Sequence, residues 1–79
     1  MKIRVYVRLK PGVLDVQGKA VEQGLHGLGY SEVGQVRVGK LIELDVEANT
    51  LEAAKPKVEE MCKTLLANTV IENFEIVAA

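Results

Sequence analysis

An α+β sandwich of order β-α-β-β-α-β, an antiparallel sheet with two helices on one face, is the fold class predicted by this sequence of 79 residues. Three observations predict it. Residues 2–10 alternate between apolar and mostly basic side chains with a period of two. Residues 33–47 form a long extended stretch interrupted by Gly39-Lys40. Two further segments, 16–28 and 50–67, place apolar residues at the helical spacings of three and four.

In the first strand Ile3, Val5, Val7 and Leu9 occupy the odd positions, and Lys2, Arg4, Arg8 and Lys10 the even ones, which gives one buried and one outer face. Tyr6 is the exception on the outer face, readable as a rim residue or as an anchor in a protein contact. Lys10-Pro11-Gly12 ends the strand, since proline cannot continue a ladder and Pro-Gly favours a turn. Asp15 then caps a helix from about Val16 to Leu28, with Val21, Gly24, Leu25 and Leu28 as its inward stripe. Gly18, Gly24 and Gly27 each cost up to about 1 kcal/mol relative to alanine, so either this helix is weak or something packs closely against it. Gly29 suits a left-handed residue after the helix, with Tyr30 folding back over the last turn.

The central stretch admits two geometries. As a hairpin with Gly39-Lys40-Leu41 as a three-residue connection, Val38 faces Ile42, Val36 faces Leu44 and Arg37 faces Glu43, so apolar parity and charge pairing agree. A two-residue turn at Gly39-Lys40 mixes the faces. The hairpin is the preferred reading, although such loops favour glycine where Leu41 would stand. The alternative is one long strand bent at Gly39, whose halves serve different sheets and are shared across a dimer.

Asn49 or Thr50 caps the second helix, about residues 50–67, whose inner face is Leu51, Ala54, Val58, Met61, Cys62, Leu65 and Leu66. Pro56 lies more than one turn inside and predicts a kink or an irregular first turn. Asn68-Thr69 closes the helix, and residues 70–77 form the last strand, with Phe74 and Ile76 in the core. The element order is that of a ferredoxin-like fold.

A chain of this length holds one domain, 1–79, and buries only roughly 60–65% of the surface it exposes when unfolded, so added stabilisation from self-association is expected. With no tryptophan and one phenylalanine, the core is built from Val, Leu, Ile and Ala. The net charge of -1 conceals an asymmetry. Residues 1–40 carry seven Lys/Arg against three Asp/Glu, and residues 41–79 three against eight, a balance that suits protein contact better than a phosphate backbone. No apolar run is long enough to span a bilayer, and the alternating start is unlike a signal peptide, so the chain is read as cytoplasmic and unprocessed.

Few residues point to chemistry. Glu43, Asp45 and Glu47 share one strand face and read as its solvated side. Cys62 is the single cysteine, readable as a small buried thiol, and His26 is the single histidine, so neither builds a metal site. A Cys62–His26 nucleophile pair would span two helices with nothing to orient the base. Neither Pro11-Gly12 nor Val38-Gly39-Lys40 makes a phosphate loop, although Lys10 and Lys40 would both touch an anion if their loops met. The strands lack the aromatics of an RNA-recognition surface, so neither nucleic acid nor membrane is expected as a partner.

The ordered blocks Val7-Arg8-Leu9-Lys10-Pro11-Gly12-Val13-Leu14-Asp15, Gln17-Gly18-Lys19-Ala20-Val21, Leu28-Gly29-Tyr30 and Val36-Arg37-Val38-Gly39-Lys40 through Ile42-Glu43-Leu44 resemble the PurS family, the small subunit of phosphoribosylformylglycinamidine synthase. The resemblance extends through Ala53-Ala54-Lys55 and Met61-Cys62 to Leu65-Leu66-Ala67-Asn68. It implies a subunit of a C–N ligase with glutamine as amide donor, in purine biosynthesis, with no catalytic residue, metal ligand or cofactor of its own. A glutaminase subunit releases ammonia, a synthetase subunit binds ATP and Mg, and the small subunit is a homodimer that bridges the two. Two departures from the family pattern stand out, Val16 where proline commonly follows the residue matching Asp15, and Pro56 within the second helix. The competing class is a regulatory ligand-binding domain resembling ACT domains, with an effector held between paired subunits. Arg4, Tyr6, Arg8, Lys10, Arg37, Gly39, Lys40, Leu41 and Glu43 are the candidate interface residues for self-association or docking.

Overall fold

The computed structural model describes residues 1–79. Strand β1 is Lys2–Leu9, helix α1 Val16–Gly27, strand β2 Lys40–Asp45, helix α2 Leu51–Met61 and strand β3 Glu72–Ala78, with a π-helical turn, Cys62–Leu66, between α2 and β3. The class is α+β and ferredoxin-like, with an antiparallel sheet, as expected. The sheet has three strands in the order β2-β1-β3. β1 is central, and its alternation explains why. Ile3, Val5 and Val7 are fully buried on one face, while Arg4 and Arg8 stay in water on the other.

The expected hairpin is absent. β2 begins at Lys40 and pairs with β1, Val5 opposite Ile42 and Arg4 opposite Glu43, while residues 33–39 join no strand. The parity assigned to Ile42, Leu44 and Glu43 was right and their partner wrong, because one apolar face in β2 is satisfied equally by β1 or by its own upstream residues. Gly39 is where the extended stretch leaves the sheet. A Cβ there would stand 2.7 Å from the carbonyl oxygen of Val7, so only glycine passes at that distance.

The core lies under α2. Ala54, Val58 and Cys62 pack on Ile3, Val5, Val7 and Ile76, with Val46 and Ala67 at the margins and Phe74, Leu51 and Leu66 half-buried around them. Thr50 caps α2 through its hydroxyl, which accepts from the Ala53 N–H at 3.2 Å, and the helix runs unbroken through Pro56 to Met61. It then widens, the Ala67 N–H reaching back five residues to the Cys62 carbonyl at 2.9 Å. That widening turns Leu65 outward, 83% exposed, and leaves Met61 39% exposed, so neither belongs to the inner face where the helical spacing put them. β3 starts two residues later than expected, since the N–H groups of Ile71 and Glu72 both donate to the Asn68 carbonyl in a tight turn.

The second helix expected over the sheet is not there. α1 contributes nothing to the core and buries only Gly18. Val16 and Val21 within it and Leu28 at its C-cap are exposed, and Leu25 is half-buried. Residues 10–38 instead form an arm built from α1 and the returning segment, with Gly29 in the left-handed region at φ 98° after the helix. The molecule is 48 × 25 × 15 Å with a radius of gyration of 15.8 Å, against about 12 Å for a compact chain of this length. Its accessible surface, 5590 Å², exceeds the roughly 4,700 Å² of a folded monomer of its mass.

Candidate assembly surfaces

Five of the candidate interface residues converge. On the outer face of the sheet Tyr6 stands opposite Leu41 and Arg4 opposite Glu43, with Arg8 next along β1. The Arg4 Nε–H donates to Glu43 Oε2 at 3.3 Å, an exposed ion pair worth at most about 1 kcal/mol. The Arg8 guanidinium lies 5.4 Å from the centre of the Tyr6 ring, which explains how an aromatic tolerates this polar face. Leu41 is 49% exposed beside it. The result is a chequered surface of both charge signs around one aromatic.

Lys10 and Arg37 belong elsewhere. Arg37 donates from its two terminal nitrogens to the carbonyls of Val13, at 2.9 Å, and Lys10, at 3.1 Å, at the root of the arm. Lys40 begins β2 opposite Val7, at the same end of the sheet as Gly39.

Asp15 caps α1 as expected, its Oδ1 accepting from the Gly18 N–H at 2.6 Å. Sequence reasoning missed that its other oxygen accepts from Val38 N–H at 2.7 Å. These two backbone donors, with the Arg37 guanidinium beyond them, hold the carboxyl below its ordinary 3.8 despite burial. A depressed carboxylate contributes stability that is complete above the ordinary value and lost as pH falls through the lower folded value. Asp15→Asn is therefore expected to flatten the fall of stability below pH 3.8, read by urea unfolding at stepped pH. Gly18 resolves the question raised by the three helical glycines. A Cβ there would clash with the Val36 carbonyl oxygen, whereas one at Gly24 or Gly27 would meet open space.

Two apolar surfaces are left without partners in the chain. One is the exposed side of α1, with Val21 and Leu28. The other is an open groove of about 420 Å³ between β2 and the end of α2, lined by Ile42, Leu44, Met61, Leu65 and Leu66. The free edge of β2 runs along it.

His26 and Cys62 are not brought together. The His26 Nε2–H donates to the Val33 carbonyl at 2.7 Å within the arm, and Cys62 is buried under the sheet, where desolvation and then the Glu59 carboxylate push its thiol up. No three His, Cys, Asp or Glu side chains lie close enough together to hold a metal ion, and no helix is long and apolar enough to cross a membrane.

A ferredoxin-like domain whose open surfaces are a mixed-charge sheet face and an unfilled apolar groove falls in the class of assembly proteins, whose surfaces are shaped for other chains. Residues 2–79 match the family model PurS, phosphoribosylformylglycinamidine (FGAM) synthase. The phosphoribosylformylglycinamidine synthase subunit PurS of Synechocystis is 56% identical over 77 residues, 95% of this chain and 77% of that one. Among solved structures, PurS of Methanocaldococcus jannaschii, a subunit of formylglycinamide ribonucleotide amidotransferase in the purine biosynthetic pathway, superposes with a TM-score of 0.87 at 43% identity, covering 96% of this chain and 92% of that one. A chain of the PurLQS structure from Thermotoga maritima gives 0.88 at 33% identity, covering 99% and 95%. The chain belongs to the PurS family and is a subunit of FGAM synthase.

Proposed function

We propose that this chain is the non-catalytic assembly subunit of the FGAM synthase complex. It acts in the cytoplasm as a homodimer that bridges the glutaminase and ATP-dependent synthetase subunits, while ATP and Mg stay on the synthetase. Ammonia must pass between two sites without protonation or loss to water, and a scaffold that fixes their placement contributes through position rather than reactivity. The observation that carries the reading is an incomplete monomer in a chain of this family: a protruding arm with a bare apolar helix face, and an empty apolar groove beside a free strand edge.

In the homodimer each arm lies on its sister's body, α1 filling the groove beside α2 and the returning segment adding to the edge of β2. The pair then completes two four-stranded, two-helix sandwiches. The surface in excess of a compact monomer, about 900 Å² per chain, matches the roughly 800 Å² that each partner buries in a standard interface. The outer face of Arg4, Tyr6, Arg8, Leu41 and Glu43 remains available for the other subunits.

The test is mass measurement of the protein alone and mixed with the two partner subunits, with glutamine and ADP present. A dimer alone and a complex containing all three subunits are expected; a single chain that joins neither partner overturns the reading. Arg8→Glu reverses an exposed charge whose nearest aromatic neighbour is Tyr6, and is expected to weaken co-purification with a partner subunit while leaving the dimer intact. Unchanged recovery of both partners would place docking elsewhere.

A further inference from the structure

The root of the arm is held by backbone hydrogen bonds taken up by side chains. There the chain crosses itself, residues 10–15 leaving β1 and residues 36–39 returning to β2. Arg37 ties the return to the carbonyls of Lys10 and Val13. The Val38 N–H donates to Asp15 Oδ2 at 2.7 Å and the Val36 N–H to Glu22 Oε1 at 3.3 Å. Asp15 is only 6% exposed, and its second oxygen is occupied by the Gly18 N–H at 2.6 Å. Nothing larger than Gly18 fits beneath the Val36 carbonyl, so the return segment lies directly on the first turn of α1.

The chemistry of this clamp bears on which partner the return segment takes. For residues 34–38 to fold back on β2 of their own chain, Gly39-Lys40-Leu41 would have to become the connection of a hairpin, and the segment would have to leave Asp15, Glu22 and the carbonyls of Lys10 and Val13. In an extended chain alternate N–H groups point to opposite sides. Val36 and Val38 are engaged toward α1, which turns those of Gln35 and Arg37 to the other edge, where a strand from a second copy can add. We propose that Asp15 is a positioning residue which holds the arm open, one oxygen capping α1 and the other retaining Val38, and so selects exchange between two copies over closure of the chain on its own sheet. The proposal rests on the exchanged homodimer described above.

Asp15→Asn separates the two duties. Asparagine caps a helix as well as aspartate, but it has one carbonyl oxygen and turns an N–H₂ toward the second donor, so the cap survives and the Val38 bond is lost. Spin labels on cysteines introduced at the exposed positions Gln23 and Lys55, with Cys62 buried, measure the arm-to-body distance within one chain when labelled protein is diluted into unlabelled. The wild type is expected to give one long, narrow distance. Asp15→Asn is expected to add a shorter-distance population, and mixed dimers are expected to exchange chains about tenfold faster, at unchanged helicity. Distances and exchange rates identical to wild type overturn the clamp and leave Asp15 a helix cap only. The wild-type mass, measured alongside, judges the dimer separately. A single-chain mass overturns arm exchange, while the distance comparison still decides whether Asp15 sets the arm.

Discussion

Leu65→Glu is expected to reduce the mass of the protein in solution from twice 8.6 kDa to 8.6 kDa while leaving its circular dichroism intact. Leu65 is 83% exposed and touches the core of its own chain hardly at all, so the substitution costs the single chain almost nothing. In the proposed exchanged dimer it would lie under α1 of the sister. Losing a buried leucine forfeits about 1.5–3 kcal/mol, and a two-fold interface repeats the loss, so affinity is expected to fall by at least about a hundredfold even before the cost of burying a carboxylate. Leu28→Glu, 76% exposed on the opposing surface, is expected to act in the same way. Sedimentation of the two variants at micromolar concentration checks this. A stable dimer with both substitutions would mean that neither surface is the contact.

Ile3→Ala is expected to produce the largest loss of fold stability from a single change. Ile3 is fully buried on the central strand, beneath α2, in a cluster of nine residues. Truncation removes the transfer energy of three carbons and leaves a cavity, together about 2–5 kcal/mol. A domain of this length is held by only about 4–12 kcal/mol in all, so the variant stands near its unfolding threshold at physiological temperature. Urea unfolding reads the effect as a lower midpoint at unchanged slope. Wild type and variant must be compared at one protein concentration, because association with a second chain adds to apparent stability. A shift below about 1 kcal/mol would mean that α2 collapses onto the sheet to close the space.

The parts of the fold that were legible in the sequence are those set by local pattern. The alternation of Ile3, Val5 and Val7, the Asp15 cap and the left-handed Gly29 are all present as expected. What was not legible depended on partners. Val36 and Val38 have the parity of strand residues, and parity does not say whether the neighbouring strand is their own β2 or another chain's. The stripe of Val21, Gly24, Leu25 and Leu28 has helical spacing, yet it joins no part of the core in this chain. Leu65 was assigned inward because a helical repeat of 3.6 was carried through residues 62–66, where the turn is wider.

Of the candidate interface residues, Arg4, Tyr6, Arg8, Leu41 and Glu43 were gathered on one face by simple alternation. Arg37 is the instructive exception. The hairpin reading set it opposite Glu43, yet here its guanidinium ties down two carbonyls of a loop more than twenty residues away, which no local pattern reveals.

The central position of β1 also has a consequence for synthesis. Ile3 pairs with Leu44 on one side and Ala78 on the other, so the earliest strand to leave the ribosome waits for the latest before its sheet closes. Until then Val5 and Val7 lack Ile76 and Phe74, their β3 neighbours. Nascent chains of this protein are thus expected to complete their sheet only at release, when β3 becomes available to β1.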